Sequence, residues 1–162
     1  MWIIEDTRQQ KDQHEIKHKA FEENDIQLIR CKLPFGDYAL PPKIAIDTKK
    51  GLDEIAGNMC GASAEHQRFK RECIAARDAG CKLIFLVEND LGITSIDQVH
   101  LWKNPRSVFN PKVVQGDRLE KAMKTMSERY GCEFLFCAFE DTARIIIELL
   151  KGENNEHDGD ST

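Results

Sequence analysis

Residues 35–53 read Phe35-Gly36-Asp37-Tyr38-Ala39-Leu40-Pro41-Pro42-Lys43-Ile44-Ala45-Ile46-Asp47-Thr48-Lys49-Lys50-Gly51-Leu52-Asp53. Two short apolar runs, Tyr38–Leu40 and Lys43–Ile46, flank Pro41-Pro42, which can continue neither strand nor helix. The stretch therefore predicts two strands joined by a turn. Folded so, the chain brings Asp37 near Asp47. Two carboxylates aimed at one point make a site for a hard divalent cation, Mg²⁺ or Mn²⁺. Lys49 lies two residues beyond Asp47, so on a strand both side chains leave the same face. A metal and an ammonium beside two carboxylates suit hydrolysis of a phosphodiester. The metal activates water, and the lysine holds water or stabilises charge on the phosphate. The bland reading of the same residues is a turn aspartate beside Gly36 and a solvated Lys49-Lys50 pair.

Outward from this stretch, Trp2–Glu5 predicts a buried first strand and residues 10–23 a polar helix. Ile26–Leu33 predicts a second strand, apolar on both faces and therefore central. Leu52, Ile55, Ala56 and Met59 recur at helical spacing. Residues 64–79 form the most basic helix, with Phe69, Cys73 and Ala76 inward and Arg68, Lys70 and Arg71 outward. Gly80 ends it, and Lys82–Val87 is a strand buried on both faces. Residues 90–116, rich in Pro and Asn, predict a long loop with a short strand near Val113-Val114. There Trp102, Lys103 and Arg106 are candidates for contact with a nucleic acid, and Trp102 equally for covering the core. Asp117–Glu120 has the form of a capping box before an amphipathic helix that Gly131 stops. Glu133–Cys137 is the last strand, and a helix capped by Asp141 follows. Residues 152–162 are expected to be a disordered acidic tail. The order implies an α/β layer fold, a mixed central sheet flanked by helices.

The quoted stretch resembles the PD-(D/E)xK nucleases and, more closely, the XPF/Mus-type structure-specific endonucleases. Their pattern is Gly-Asp followed by Glu-Arg-Lys-x-x-x-Asp. Here it reads Gly36-Asp37, then Asp47-Thr48-Lys49 and Asp53, with Asp47 in place of Glu and Thr48 in place of Arg. Asp6-Thr7-Arg8-Gln9 is similar to the family's Asp-x-Arg-Glu, Arg68-Phe69 with Glu72 to its Arg-Phe-x-x-Gln, and Glu88 to the carboxylate ending a Leu-Val/Ile-Glu strand. The resemblance covers about residues 3–150. It implies a restriction-endonuclease-like three-layer fold over residues 1–151 and a DNA endonuclease that requires Mg²⁺ or Mn²⁺. Asp37, Asp47, Lys49 and Asp6 would be its catalytic residues, and Asp37, Asp47 and the Thr48 carbonyl its metal ligands. Arg8, Lys50, Arg68, Lys70 and Arg71 would contact DNA, branched or flapped, while Gly36, Asp53 and Glu88 support the site. A homodimer through the C-terminal helices is also implied. The departures at Gln9, Thr48 and Glu72 leave room for a non-catalytic DNA-binding or scaffold subunit of the same fold.

Composition sets outer bounds. A chain of 162 residues, 41% hydrophobic and 31% charged, suits one domain with a sizeable core. No apolar run approaches a membrane span, and the N-terminus lacks the basic and apolar regions of a signal peptide. The six cysteines form no C-x-x-C pair and are expected to be reduced core residues of a cytoplasmic protein. Net charge is −5, but Glu153, Glu156, Asp158 and Asp160 carry most of it. Affinity for DNA must then come from local basic patches rather than the overall field. His14-Glu15-Ile16-Lys17-His18 fits the zinc-hydrolase pattern H-E-x-x-H. Its charged flanks, and the absence of a following third-ligand motif, weigh against a zinc site. The two histidines can instead face phosphate.

Overall fold

The computed structural model describes residues 2–9, 14–40 and 43–155. Six strands form one sheet in the order β2-β1-β3-β4-β5-β6: β1 (Trp2–Asp6), β2 (Gln27–Cys31), β3 (Tyr38–Leu40), β4 (Ile44–Lys49), β5 (Lys82–Glu88) and β6 (Glu133–Cys137). Only β3 runs against the rest. It pairs antiparallel with β1 and β4, whereas β1–β2, β4–β5 and β5–β6 are parallel. The carboxyl ends of β1, β4, β5 and β6 therefore share one edge with the amino end of β3. Asp6, Asp37, Asp47, Lys49 and Glu88 all belong to that edge. In open α/β sheets this edge is where ligands bind.

Helices cover both faces, giving the three layers that the resemblance implies. On one face α2 (Leu52–Cys60), α3 (Ser63–Asp78) and α4 (Gly116–Tyr130) contribute Ile55, Met59, Phe69, Leu119 and Met123 to a core with Ala45, Phe85, Val87 and Phe134. On the other, α1 (Glu15–Glu23) and α5 (Thr142–Asn155) bring Phe21, Ile146, Ile147 and Leu150 against Tyr38, Ile44, Ile46, Ile84 and Leu86. The alternation along β4 follows directly: Ile44 and Ile46 point one way, Ala45, Asp47 and Lys49 the other. Rings stack through the first core, Phe69 on Phe85 at 4.5 Å and Phe85 on Phe134 at 5.2 Å between centroids.

Several expectations change. β2 is an edge strand, not a central one. Among the described residues its only neighbour is β1, and Ile29 is 47% exposed; two apolar faces arise because one packs on helix and the other is left open. α1 begins at Glu15, and residues 10–13 of the expected helix lie outside the described residues, as do Pro41 and Pro42. Residues 90–116 are framework rather than loose loop. Two 3-10 turns, Ile96–Leu101 and Pro105–Val108, replace the short strand expected at 113–114. Val99 and Trp102 are buried in the core, so Trp102 covers hydrophobic surface. Gly116 allows this packing, because a Cβ there would meet the Val99 carbonyl oxygen at 2.4 Å.

Glu120 does not close a capping box. It accepts from the backbone N–H of His100 at 3.1 Å and from Lys124 at 2.7 Å, pinning the first 3-10 turn to α4. α5 continues to Asn155, so the first residues of the expected tail are helical and the rest, 156–162, lie outside the described residues. All six cysteines are free; Cys73, Cys132 and Cys137 are buried as expected, but Cys31 is exposed on the edge strand. No helix among the described residues is long and apolar enough to cross a membrane.

Candidate active site

The hairpin places its acids by backbone pairing alone. Tyr38 opposes Ile46 and Leu40 opposes Ile44, and the Asp37 N–H donates to the Ile46 carbonyl at 2.7 Å. Asp37 thus lies beside the carboxyl end of β4. Gly36 makes the approach. Its φ is +71°, and a Cβ would stand 3.1 Å from that of Ala45, so a side chain is strained by the backbone conformation and crowded by Ala45. The Gly36 N–H donates to Glu72 Oε1 of α3 at 2.7 Å. On the other side the Asp6 N–H donates to the Asp37 carbonyl at 2.7 Å.

A cleft of about 700 Å³ opens over these residues. Asp37, Asp47, Thr48, Lys49 and Lys50 line it from the hairpin, and Arg68 and Glu72 from α3. Gly36, Arg8 and Glu88, all expected at the site, line it too. Lys49 Nζ is 2.8 Å from Asp47 Oδ1, and both side chains are nearly inaccessible. Burial lifts the Asp47 carboxyl well above the ordinary range; the Lys49 charge opposes this, and the charges of Asp37 and Glu72 add to it. Lys49, though buried, is held above its ordinary value by Asp47. Asp37 Oδ2 accepts from both the N–H and the hydroxyl of Thr48, each at 2.8 Å.

A divalent cation fits this donor set. The Asp37 and Asp47 carboxyl groups line one cleft, and the repulsion between them is relieved by positive charge. Among the described residues no group of three or more His, Cys, Asp or Glu side chains could hold a metal. Two carboxylates, a backbone carbonyl and water are what Mg²⁺ accepts. The zinc alternative gains nothing: His18 Nε2 is 2.6 Å from the buried Glu5 Oε1, and the histidine rings stand 6.5 Å apart.

Other expected residues are placed differently. The Asp6 carboxylate does not line the cleft. It is consumed by Arg8, accepting from its N–H at 2.6 Å, Nε at 2.8 Å and Nη2 at 2.7 Å, and by the Leu33 N–H at 2.8 Å. Burial pushes Asp6 up, but the Arg8 hydrogen bonds outweigh it and hold it below the usual value. Asp6 thus fixes Arg8, whose side chain stays 57% exposed at the cleft. Asp53 is exposed and faces a neighbouring groove. Its successor Glu54 lines the cleft instead and accepts from the Lys50 N–H at 2.8 Å. Lys70 and Arg71 do not line it. Glu88 is buried, accepts from Thr142 Oγ1 at 2.7 Å and lies 3.8 Å from Lys17 Nζ.

Sequence reasoning missed Lys17, Glu54 and Phe139 as cleft residues. Lys17 sat unnoticed inside the zinc-like motif; the phase of α2 separates Glu54 from Asp53; Phe139 carried no local signal. His14 also lines the cleft, where burial and then the Lys17 charge push it below the ordinary imidazole value.

An antiparallel hairpin carrying Asp37, Asp47 and Lys49 to the edge of a mixed sheet defines a restriction-endonuclease-like domain. The sequence matches the ERCC4 domain family over residues 5–149. The chain belongs to that family, the XPF nuclease family. Its fold is similar to that of XPF from Aeropyrum pernix, with a TM-score of 0.62 and 17% identity over 93% of this chain. It is likewise similar to the same protein solved in complex with DNA, with a TM-score of 0.62 and 17% identity over 96% of the chain. The chain spans 63% and 65% of those two chains. No curated protein matches it.

Proposed function

We propose that this chain is a Mg²⁺- or Mn²⁺-dependent, structure-specific DNA endonuclease domain. The observation that carries the reading is the convergence of Asp37, Asp47 and Lys49 in one cleft whose rim holds Arg8, Lys50 and Arg68. The A. pernix XPF solved with DNA supports DNA as the partner. Asp37 and Asp47, with the Thr48 carbonyl, would hold the cation. Bound there, it supplies Lewis-acid charge and lowers the pKa of water. Lys49, kept protonated by Asp47, presents a fixed cation to a non-bridging phosphate oxygen and to the attacking water. Arg8, locked by Asp6, and Arg68 on α3 hold flanking phosphates. Branched or flapped DNA, a homodimer through the C-terminal helices and a cytoplasmic location complete the proposal.

A second reading, a DNA-binding scaffold with a silent site, is favoured by one observation. Thr48, standing where the family has Arg, occupies Asp37 Oδ2 with two hydrogen bonds. Purified protein, Asp47→Ala and Lys49→Ala, each offered flap, fork, junction and single-stranded DNA with Mg²⁺, Mn²⁺ or chelator, separate the two. The nuclease reading expects metal-dependent cleavage lost in both variants. Binding without cleavage on every substrate would establish the scaffold. Undiminished cleavage by both variants would remove the assigned residues.

A further inference from the structure

Beside the cleft runs a second groove of about 860 Å³, and the two share Lys50, Glu88 and Phe139. Phe139 opens the 3-10 turn (Phe139–Asp141) that follows β6. It is 55% exposed, and Leu91, which lines the same groove, is 59% exposed. The groove floor includes the buried Trp102 and Ile93. Its wall is preformed: Asn89 Oδ1 accepts from the N–H groups of Leu91 and Ile93, each at 3.1 Å, and Asn89 Nδ2 donates to the Ile93 carbonyl at 2.9 Å.

We propose that this groove takes an unpaired nucleobase of the DNA whose phosphate lies in the cleft, stacked on Phe139. The inference rests on the nuclease reading above. Continuity through Lys50 puts the groove on the path of the strand that enters the cleft. Asp53, Asp90 and Glu140 line the groove, with Lys50 and Lys103 beside them; the lysines suit the strand's phosphates, and the carboxylates accept from the exocyclic amines of a base. An aromatic face left in water offers stacking to any base. A base inside a duplex has both faces covered, so only an unpaired one can enter. Phe139 would then be a specificity residue, admitting DNA with a branch or a frayed end at the scissile position.

The test uses forked DNA with 2-aminopurine as the first unpaired residue, in chelator so that nothing is cut. Wild type is expected to quench its emission on binding, Phe139→Ala to lose the quench and Phe139→Trp to restore it. Affinity of Phe139→Ala for the fork should fall roughly fivefold to a hundredfold, the range that one base–aromatic stack gives. Its affinity for unbranched duplex should fall much less than that for the fork, and its thermal melt should not change. Full quenching and unchanged fork affinity in Phe139→Ala, beside a wild type that cuts forks, overturns this inference alone. So does a Phe139→Ala variant that shifts only the sedimentation of the protein, which would assign the groove to a second copy of the chain. A wild type that neither binds nor cuts any of the DNAs overturns the nuclease reading and this inference with it.

Discussion

Asp47 and Asp6 are both buried carboxylates at one edge of the sheet, on strands that β3 separates, yet their surroundings move them in opposite directions. Asp6 accepts four hydrogen bonds and is held low; Asp47 has one cationic partner and two nearby acids, and is held high. The linkage to stability follows from the sign. A group whose pKa is raised on folding contributes stability below its unfolded value and loses it as pH rises through the folded one. In chelator, wild type should therefore lose thermal stability relative to Asp47→Asn as pH climbs above the ordinary carboxylate range. Added Mg²⁺ should reverse that loss for wild type and leave Asp47→Asn little changed; parallel melts across pH 4–9 (an interval of about five units around the carboxylate and neutral ranges) would show it. Asp6 has the reverse sign, its contribution being present above the unfolded value and lost as pH falls through the lowered one. Removing its carboxylate leaves the buried Leu33 N–H unpaired and frees Arg8. Asp6→Ala should cost about 2–4 kcal/mol by denaturant titration, with weaker DNA binding as a consequence of the mobile arginine.

At the scale of elements, the hairpin was legible because everything it needs is local. Pro41-Pro42 breaks the run, Gly36 permits the approach, and the period of two along β4 puts Asp47 and Lys49 on one face. Gly36→Ala combines a positive φ with a close Ala45 contact, and should destabilise by about 1–3 kcal/mol. It should also reduce cleavage more than stability, since Asp37 is the next residue; comparing the melt with the cleavage rate would separate the two effects. What was not legible comes from elements that meet only in space. Lys17 and His14 reach the cleft because Phe21, fully buried and edge-on to Tyr38 at 5.5 Å, docks α1 against β3. No periodicity near Lys17 announces that. The same holds for β2: two apolar faces fit a central strand, but sheet order is set by pairing partners far along the chain.

For the molecule as a whole, the sequence pattern and the family match agree on the three-layer fold, and the disagreements gather in residues 90–116. Pro and Asn there read as loop, but Asn104 is buried, donating to the Val114 carbonyl at 3.0 Å and accepting from the Arg106 N–H at 3.0 Å. Its polar side chain supplies the pairing that strands supply elsewhere. The opposite layer depends on its terminal helix. Ile146, Ile147 and Leu150 of α5 are buried, and at about 1.5–3 kcal/mol each their burial is comparable to the roughly 5–15 kcal/mol that holds a domain together. A chain ending before Thr142 should not show a cooperative melt, and Glu88 would lose its hydroxyl partner. A truncated chain that unfolds as sharply as the full one would contradict this view of the layer.

The shortness of the β3–β4 hairpin also has a kinetic consequence. Asp37, Asp47 and Lys49 are separated by at most a dozen residues, whereas β1 must wait for β3, more than thirty residues later. Local pairing closes cheaply and early. The acids therefore come together while still hydrated, and Asp47 loses its water only when α2, α3 and β5 close over the hairpin. The charge burden then falls on the late steps of assembly. Substitutions in the turn should slow folding, while Glu72→Gln, whose bond to Gly36 joins α3 to the hairpin, should mainly change the rate of unfolding.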